Sequence, residues 1–236
     1  MANTVVLNNV EHADLVVAIR HGAAFGDAVN QVLVLPTEFE EAQRDFPILF
    51  RRGGDELEAV ALLGLDRDEN LFLEGKRWQS RHIPLVQQRG PFSIDVPAPG
   101  AGEPMLHIDL DDPRVGAADG APLFLPHGGN ARYLEHITKL FQAIYAGVDA
   151  AKAMYAAFDE FGLVQPIALE VMLNEEQRYA ITGHEVLSAE RLAALNGAAL
   201  AALHQRGFLG PAFLIAASLS NISQLIARKN ARLAAI

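Results

Sequence analysis

His107-Ile108-Asp109 sets an imidazole and a carboxylate two residues apart, so on a strand both project from one face. With the distal His184 they would complete a two-histidine, one-carboxylate set of the kind that holds iron in non-haem oxygenases. Arg178 could then receive a carboxylate cosubstrate. A chain with 8 histidines and 29 acids also offers so short a pattern by chance, and the ordinary reading is two rim residues of one strand. The second concentration is electrostatic. From Lys76 to Arg89 the sequence KRWQSRHIPLVQQR carries Lys76, Arg77, Arg81 and Arg89 with no acid among them. Such a stretch could bind an anion, with Trp78, the only tryptophan, as a stacking wall. Glu69 and Asn70 just upstream complete the densest mixture of polar and aromatic residues in the chain. The competing reading pairs these bases with Asp66, Asp68, Glu69 and Glu74 and places Trp78 in the packing.

Other chemistry finds no support. Without cysteine there is no disulfide, thiolate nucleophile or cysteine metal site. Gly183-His184 lacks the serine of a nucleophile elbow. Pro126-His127-Gly128-Gly129-Asn130 leads into a helix but lacks the lysine of a phosphate loop. No cofactor is implied. A net charge of −10 and a pI near 5.2 lack the electrostatic footprint of a nucleic-acid binder.

At 236 residues and 50% hydrophobic, the chain can bury a substantial core, and it reads as a single domain over residues 1–236. The start has no basic region followed by a continuous apolar stretch, which points to the cytoplasm or to signal-less export to the cell surface. The apolar stretch 208–226 is interrupted by Pro211, Ser218, Ser220, Asn221, Ser223 and Gln224. It reads as a buried core or interface helix, with no membrane span, and could seat a second copy or a protein partner.

The spacing predicts strands over much of residues 1–125. Residues 31–35 form a β-branched and leucine run, and Thr37 with Glu40 reads as the capping box of a short helix to about Arg44. Residues 48–50 and 58–65 pair around Gly53-Gly54, and further strands lie at 71–73, 93–96 and 105–110. Residues 96–104 and 111–129 read as loops. From Asn130 the period becomes helical through Leu134, Ile137, Phe141 and Ile144. Gly147 and Asp149 suggest a break and a new helix bearing Met154, Phe158 and Phe161, closed by Gly162. A hairpin over 167–173 and 178–182 turns at 174–177. One helix follows from Ser188 to Gly207, its apolar face running through Leu192, Leu195, Leu200 and Leu203, and then a terminal helix ending in Arg228-Lys229. The class is α+β, a strand-rich N-terminal half packed with a helical C-terminal half (130–236) containing one β-hairpin.

Three stretches, PTEFEEAQRDFPILF (36–50), VALLGLDRDENLFLEGKRW (60–78) and HIPLVQQRGPF (82–92), resemble the ordered signature of the SapC-like family, linked to a bacterial surface layer. The C-terminal stretch from EVLSAERLAALNGAALAALHQRGFL (185–209) to the Ser-rich final helix resembles it too. The likeness spans roughly 5–230. It departs at His82, where the family usually has tyrosine, and near Gly90; the family does not require histidine at the position of His107. The family is distinct from the peptide-transporter permease of the same name. The resemblance implies a bacterial α+β protein with no catalytic activity attached to the family, whose members are often encoded beside TonB-dependent receptors, flavin-dependent halogenase-like proteins and cupin-like proteins.

The expectation is therefore a non-enzymatic binding or assembly protein of a surface-layer or TonB-linked uptake system. Glu69, Asn70, Arg77, Trp78, Arg81 and Arg89 would bind anionic peptide or glycan groups. The alternatives are a metal-dependent oxygenase on His107, Asp109 and His184, or an accessory subunit of a halogenase-like enzyme.

Overall fold

The computed structural model describes residues 3–54, 56–95, 104–172 and 178–234. In chain order come β1 (Thr4–Val6), β2 (Val16–Val17), β3 (Gln31–Leu33), α1 (Phe39–Ala42), β4 (Ile48–Gly53), β5 (Glu56–Leu62), β6 (Leu73–Glu74) and β7 (Arg77–Trp78). Then follow α2 (Leu85–Gln88), β8 (Phe92–Asp95), β9 (Met105–Asp109), β10 (Ala121–Pro122), α3 (Arg132–Glu160), β11 (Val164–Met172) and β12 (Arg178–Leu187). The chain closes with α4 (Ala189–Ala193), α5 (Gly197–Gln205), α6 (Leu209–Ser218) and α7 (Ile222–Ala234). The fold is α+β. It divides into two compact units, residues 1–21 with 87–143 and residues 22–86 with 144–236.

In the first unit β1, β9 and β8 form a three-stranded antiparallel sheet, and β10 pairs with β2. Phe92 and Ile108 from the sheet are buried, as are Leu123, Leu134 and Ile137. The region expected as a loop over 111–129 holds β10 and a partly buried ion pair, Arg114 to Asp112 at 2.6 Å. The expected loop over 96–104 lies almost wholly outside the described residues, as does the turn 174–177.

The second unit carries a five-stranded sheet in the order β11-β12-β4-β5-β3. The C-terminal hairpin therefore joins the N-terminal strands in one sheet, through Glu185 opposite Phe50. A sequence read locally places the hairpin on its own, because nothing in it specifies which edge it will meet. Ile48, Leu49 and Phe50 are all fully buried, so the first half of β4 has no solvent face, while Arg52 and Gly53 at its end are exposed. Phe50 meets Tyr155 of α3 edge-on, with ring centres 5.2 Å apart.

The one helix expected from Ser188 to Gly207 is two, α4 and α5, because Asn196 caps a new helix by accepting Ala199 N–H at 2.9 Å. Three further local expectations need correction. The first concerns the expected break at Gly147 and Asp149: α3 is one helix of 29 residues. Gly147 is there for packing, since a Cβ on it would stand 2.7 Å from Leu35 Cβ and 2.8 Å from Thr37 Oγ1. The helix does end as expected, with Gly162 at φ +64° and Leu163 N–H donating to Phe158 O at 2.8 Å. The second concerns the short helix near residue 37, which is entered two residues earlier than Thr37 and Glu40 imply. Pro36 opens a single 3-10 turn, Pro36–Glu38, and Leu35 is its cap. Leu35 N–H donates to Glu38 Oε1 at 3.1 Å, the reach-back of a capping box with its carboxylate at Glu38.

The third correction is at the C-terminus, where one terminal helix becomes two. A 3-10 turn over Leu219–Asn221 separates α6 from α7, and α7 runs past Lys229 to Ala234. Polar side chains fix the join. Ile48 N–H donates to Ser218 Oγ at 2.9 Å, and Asn221 Nδ2 donates to Gln43 O at 2.7 Å and Phe46 O at 3.2 Å. By length and composition alone, Leu209–Ala234 reaches what a membrane crossing needs. Within the protein it buries Ala212, Ile215 and Leu225 in the hydrophobic core, and its polar bonds go to β4 and the loop after α1.

Candidate functional site

The segment between β5 and α2 carries most of the expected binding residues, and α7 lies against it. Gly64 starts the turn that presents Glu69, and a Cβ there would stand 2.2 Å from Glu69 O, so the chain can close only on glycine. Glu69 Oε2 accepts Leu65 N–H at 3.1 Å and Asp66 N–H at 3.3 Å. Its other oxygen accepts Lys229 Nζ at 2.8 Å, and the same ammonium bonds Asp66 Oδ2. Lys229 is 5% exposed. Burial disfavours its charge, but hydrogen bonds to Asp66 and Glu69 more than offset that and hold its pKa above the ordinary lysine range.

Asn70 is also structural. It is buried, its Nδ2 donates to Asp27 O at 2.8 Å, and its Oδ1 accepts Phe72 N–H at 2.9 Å. Glu69 and Asn70 therefore anchor the segment from within, and α7 adds to the anchoring from outside. Arg232 donates to Asn70 O and Leu73 O at 3.1 and 3.0 Å, and Arg228 donates to Gln79 O at 3.2 Å while its guanidinium lies 4.5 Å from the Phe72 ring centre.

The expected bases separate from these anchors. Arg77 and Arg81 are exposed, and neither side chain makes an ion pair among the described residues. Two of the acids that could have paired with them, Asp66 and Glu69, are bound to Lys229 instead. Arg81 is fixed through its backbone, whose N–H donates to Asp45 Oδ2 at 2.8 Å. Trp78 stands opposite Leu73 in the β6–β7 pair and packs on the hydrophobic core. Its Nε1–H is buried with no acceptor among the described residues. Arg89 belongs to the first unit and is exposed. Lys76, Arg77 and Arg81 thus lie on the segment to which Arg228 and Arg232 of α7 bond; the sequence alone assigns Arg228, with Lys229, only to a helix C-terminus.

The three candidate metal ligands have other partners or neighbours. His107 and Asp109 lie on β9 in the first unit, where His107 Nδ1 is 3.2 Å from Met105 O and Asp109 Oδ1 accepts Asp111 N–H at 3.1 Å. His184 lies on β12 in the second unit, with Nδ1 3.0 Å from Thr182 O and Nε2 2.9 Å from Gln31 Oε1. Among the described residues no three of His, Asp and Glu stand together as a metal-holding group.

One polar constellation escaped sequence reasoning. Glu38, 2% exposed, accepts Leu85 N–H at 2.9 Å and lies 2.7 Å from His82 Nε2, besides the bond from Leu35. The signal was available in Pro36, which favours the first position of a helical turn and so points to a carboxylate two residues on.

A family model, SapC, matches residues 7–225. No curated protein and no solved structure matches the chain.

Proposed function

Because the chain belongs to the SapC family, we propose that it is a non-enzymatic binding or assembly protein of a bacterial surface-layer or TonB-linked uptake system, and that it takes anionic peptide or glycan groups on the segment around Arg77 and Arg81. The observation that carries this reading is the placement of charge. In a chain of net charge −10, Arg77 and Arg81 are exposed and free of ion pairs among the described residues, while Lys229 holds Asp66 and Glu69. Carboxylate groups on a partner would meet guanidinium forks suited to bidentate bonds. Arg228 and Arg232 of α7, which bond to the backbone of this segment, add to the local field. Glu69 and Asn70 act in this reading as supports that hold the segment's shape, and do not touch the ligand.

A second copy or a protein partner would sit on the C-terminal helices, where Phe213 of α6 is 55% exposed. The test is retention on immobilised polyglutamate at low salt. The wild-type chain is expected to bind and to elute as salt rises. The double variant Arg77→Ala, Arg81→Ala is expected to pass unretained with an unchanged thermal unfolding curve. Failure of the wild-type chain to bind, or equal retention of the variant, rejects the reading.

A further inference from the structure

A groove of about 520 Å³ lies within the second unit between the end of β3, the start of β5 and the second half of α3. Its walls are Leu33, Leu35, Leu57, Val148, Ala151 and Ala156, with the Tyr155 ring beside them. That size is typical of sites for small organic molecules.

Among the described residues, the strand register leaves the Leu57 backbone without a partner strand at this edge. β3 and β5 pair with Leu33 opposite Val60, and Val34 N–H donates to Ala59 O at 3.0 Å. Backbone groups alternate sides along a strand, so Leu57 presents its N–H and C=O to the same edge as Ala59. The position that continues the register opposite Leu57 is Pro36, which has no N–H to donate. Leu35 N–H is already turned into the Pro36–Glu38 turn, onto Glu38. The β5 edge therefore ends in one donor and one acceptor at the groove.

The lip discriminates against ions. Glu58 pairs with Arg51 at 2.8 Å, Asp159 with Arg52 at 3.3 Å, and Glu56 with Lys152 at 3.7 Å. Each carboxylate at the groove has a basic partner, although Arg52 is shared with Glu185 at 3.0 Å, so the lip repels anions and keeps only a small negative excess. The exposed Tyr145, three residues before Val148 on α3, prolongs the apolar strip.

We propose that this groove binds an uncharged, largely apolar small molecule carrying one amide-like hydrogen-bonding group, which pairs with the Leu57 backbone while its body fills the space between β5 and α3. This site is separate from the basic segment. The probe is N-phenyl-1-naphthylamine, which is neutral, has a single N–H donor and brightens in apolar surroundings. A saturable one-to-one rise in its fluorescence is expected, weakened tenfold or more by Ala151→Trp, which fills the groove, and by Val148→Arg, which charges its mouth. Val148 is 53% exposed, so that variant carries the test if Ala151→Trp fails to fold. Hexaglutamate, a probe for the basic segment, is expected to leave the dye bound. Absence of saturable binding, undiminished affinity in Val148→Arg, or displacement by hexaglutamate overturns the proposal; none of the first two bears on retention by polyglutamate.

Discussion

Lys229 Nζ lies 2.8 Å from Glu69 Oε1 across 160 residues of sequence. With the bonds of Arg228 and Arg232, this contact holds the C-terminal helix on the segment after β5, and it engages an acid close in sequence to the exposed arginines.

Replacing Lys229 by methionine leaves Glu69 facing an apolar neighbour. A cost of about 2–4 kcal/mol is expected, below the upper range for a buried pair because Asp66 is half exposed. The pH dependence has a definite sign. A lysine whose folded pKa is raised contributes stability that is whole below its unfolded pKa of about 10.4 and is lost as pH rises through the folded value. Tyr155 acts in the same direction, because burial pushes its hydroxyl pKa up and the unfolded chain ionises first. Denaturant unfolding measured from pH 8 to 12 should show stability falling above pH 10 in the wild-type chain, with a shallower fall in Lys229→Met. An identical fall in both would remove Lys229 from the account.

Gly147→Ala separates packing from propensity. In an unconstrained helix interior the exchange stabilises by about 1 kcal/mol. Here the new Cβ meets Leu35 Cβ at 2.7 Å and Thr37 Oγ1 at 2.8 Å, and a loss of about 1–3 kcal/mol is expected from overpacking. A calorimetric melt gives the sign, and a rise in melting temperature would mean that α3 does not approach the β3–α1 connection so closely.

Glu38→Ala should unmake bonds from Leu35 N–H, Leu85 N–H and His82 together. Leaving two backbone donors without an acceptor is expected to cost about 2–4 kcal/mol. Glu38→Gln keeps an acceptor and should lose less. Guanidinium unfolding of the two variants that gave equal losses would show that the carboxylate's geometry contributes nothing.

Local structure was legible in the sequence wherever neighbouring residues determine it. Ser188 caps α4 by accepting Arg191 N–H at 3.3 Å, Gly162 closes α3, and the β4–β5 hairpin turns near Gly53-Gly54. What escaped depends on residues far apart in the chain. Gly147 reads as a helix breaker until Leu35 is known to lie against it. Glu69 reads as a surface acid until Lys229 arrives from the last helix. The hairpin β11–β12 reads as independent because a single register contact, Glu185 opposite Phe50, records its place in the sheet. In the candidate site, the exposure of Arg77 and Arg81 was legible, because it follows from local polarity. Glu69 and Asn70 were legible as polar residues near that site, but their burial against Asp27 and Lys229 is a property of the tertiary fold alone.

Trp78 offers the most direct measurement of the central claim, since it is the chain's only tryptophan and neighbours Arg77. Its emission is recorded while hexaglutamate is added at low salt. The account predicts a saturable change in the wild-type chain that weakens as salt rises and is absent from Arg77→Ala, Arg81→Ala. An unresponsive tryptophan in the wild-type chain, or the same titration curve in the double variant, would contradict anion binding on this segment.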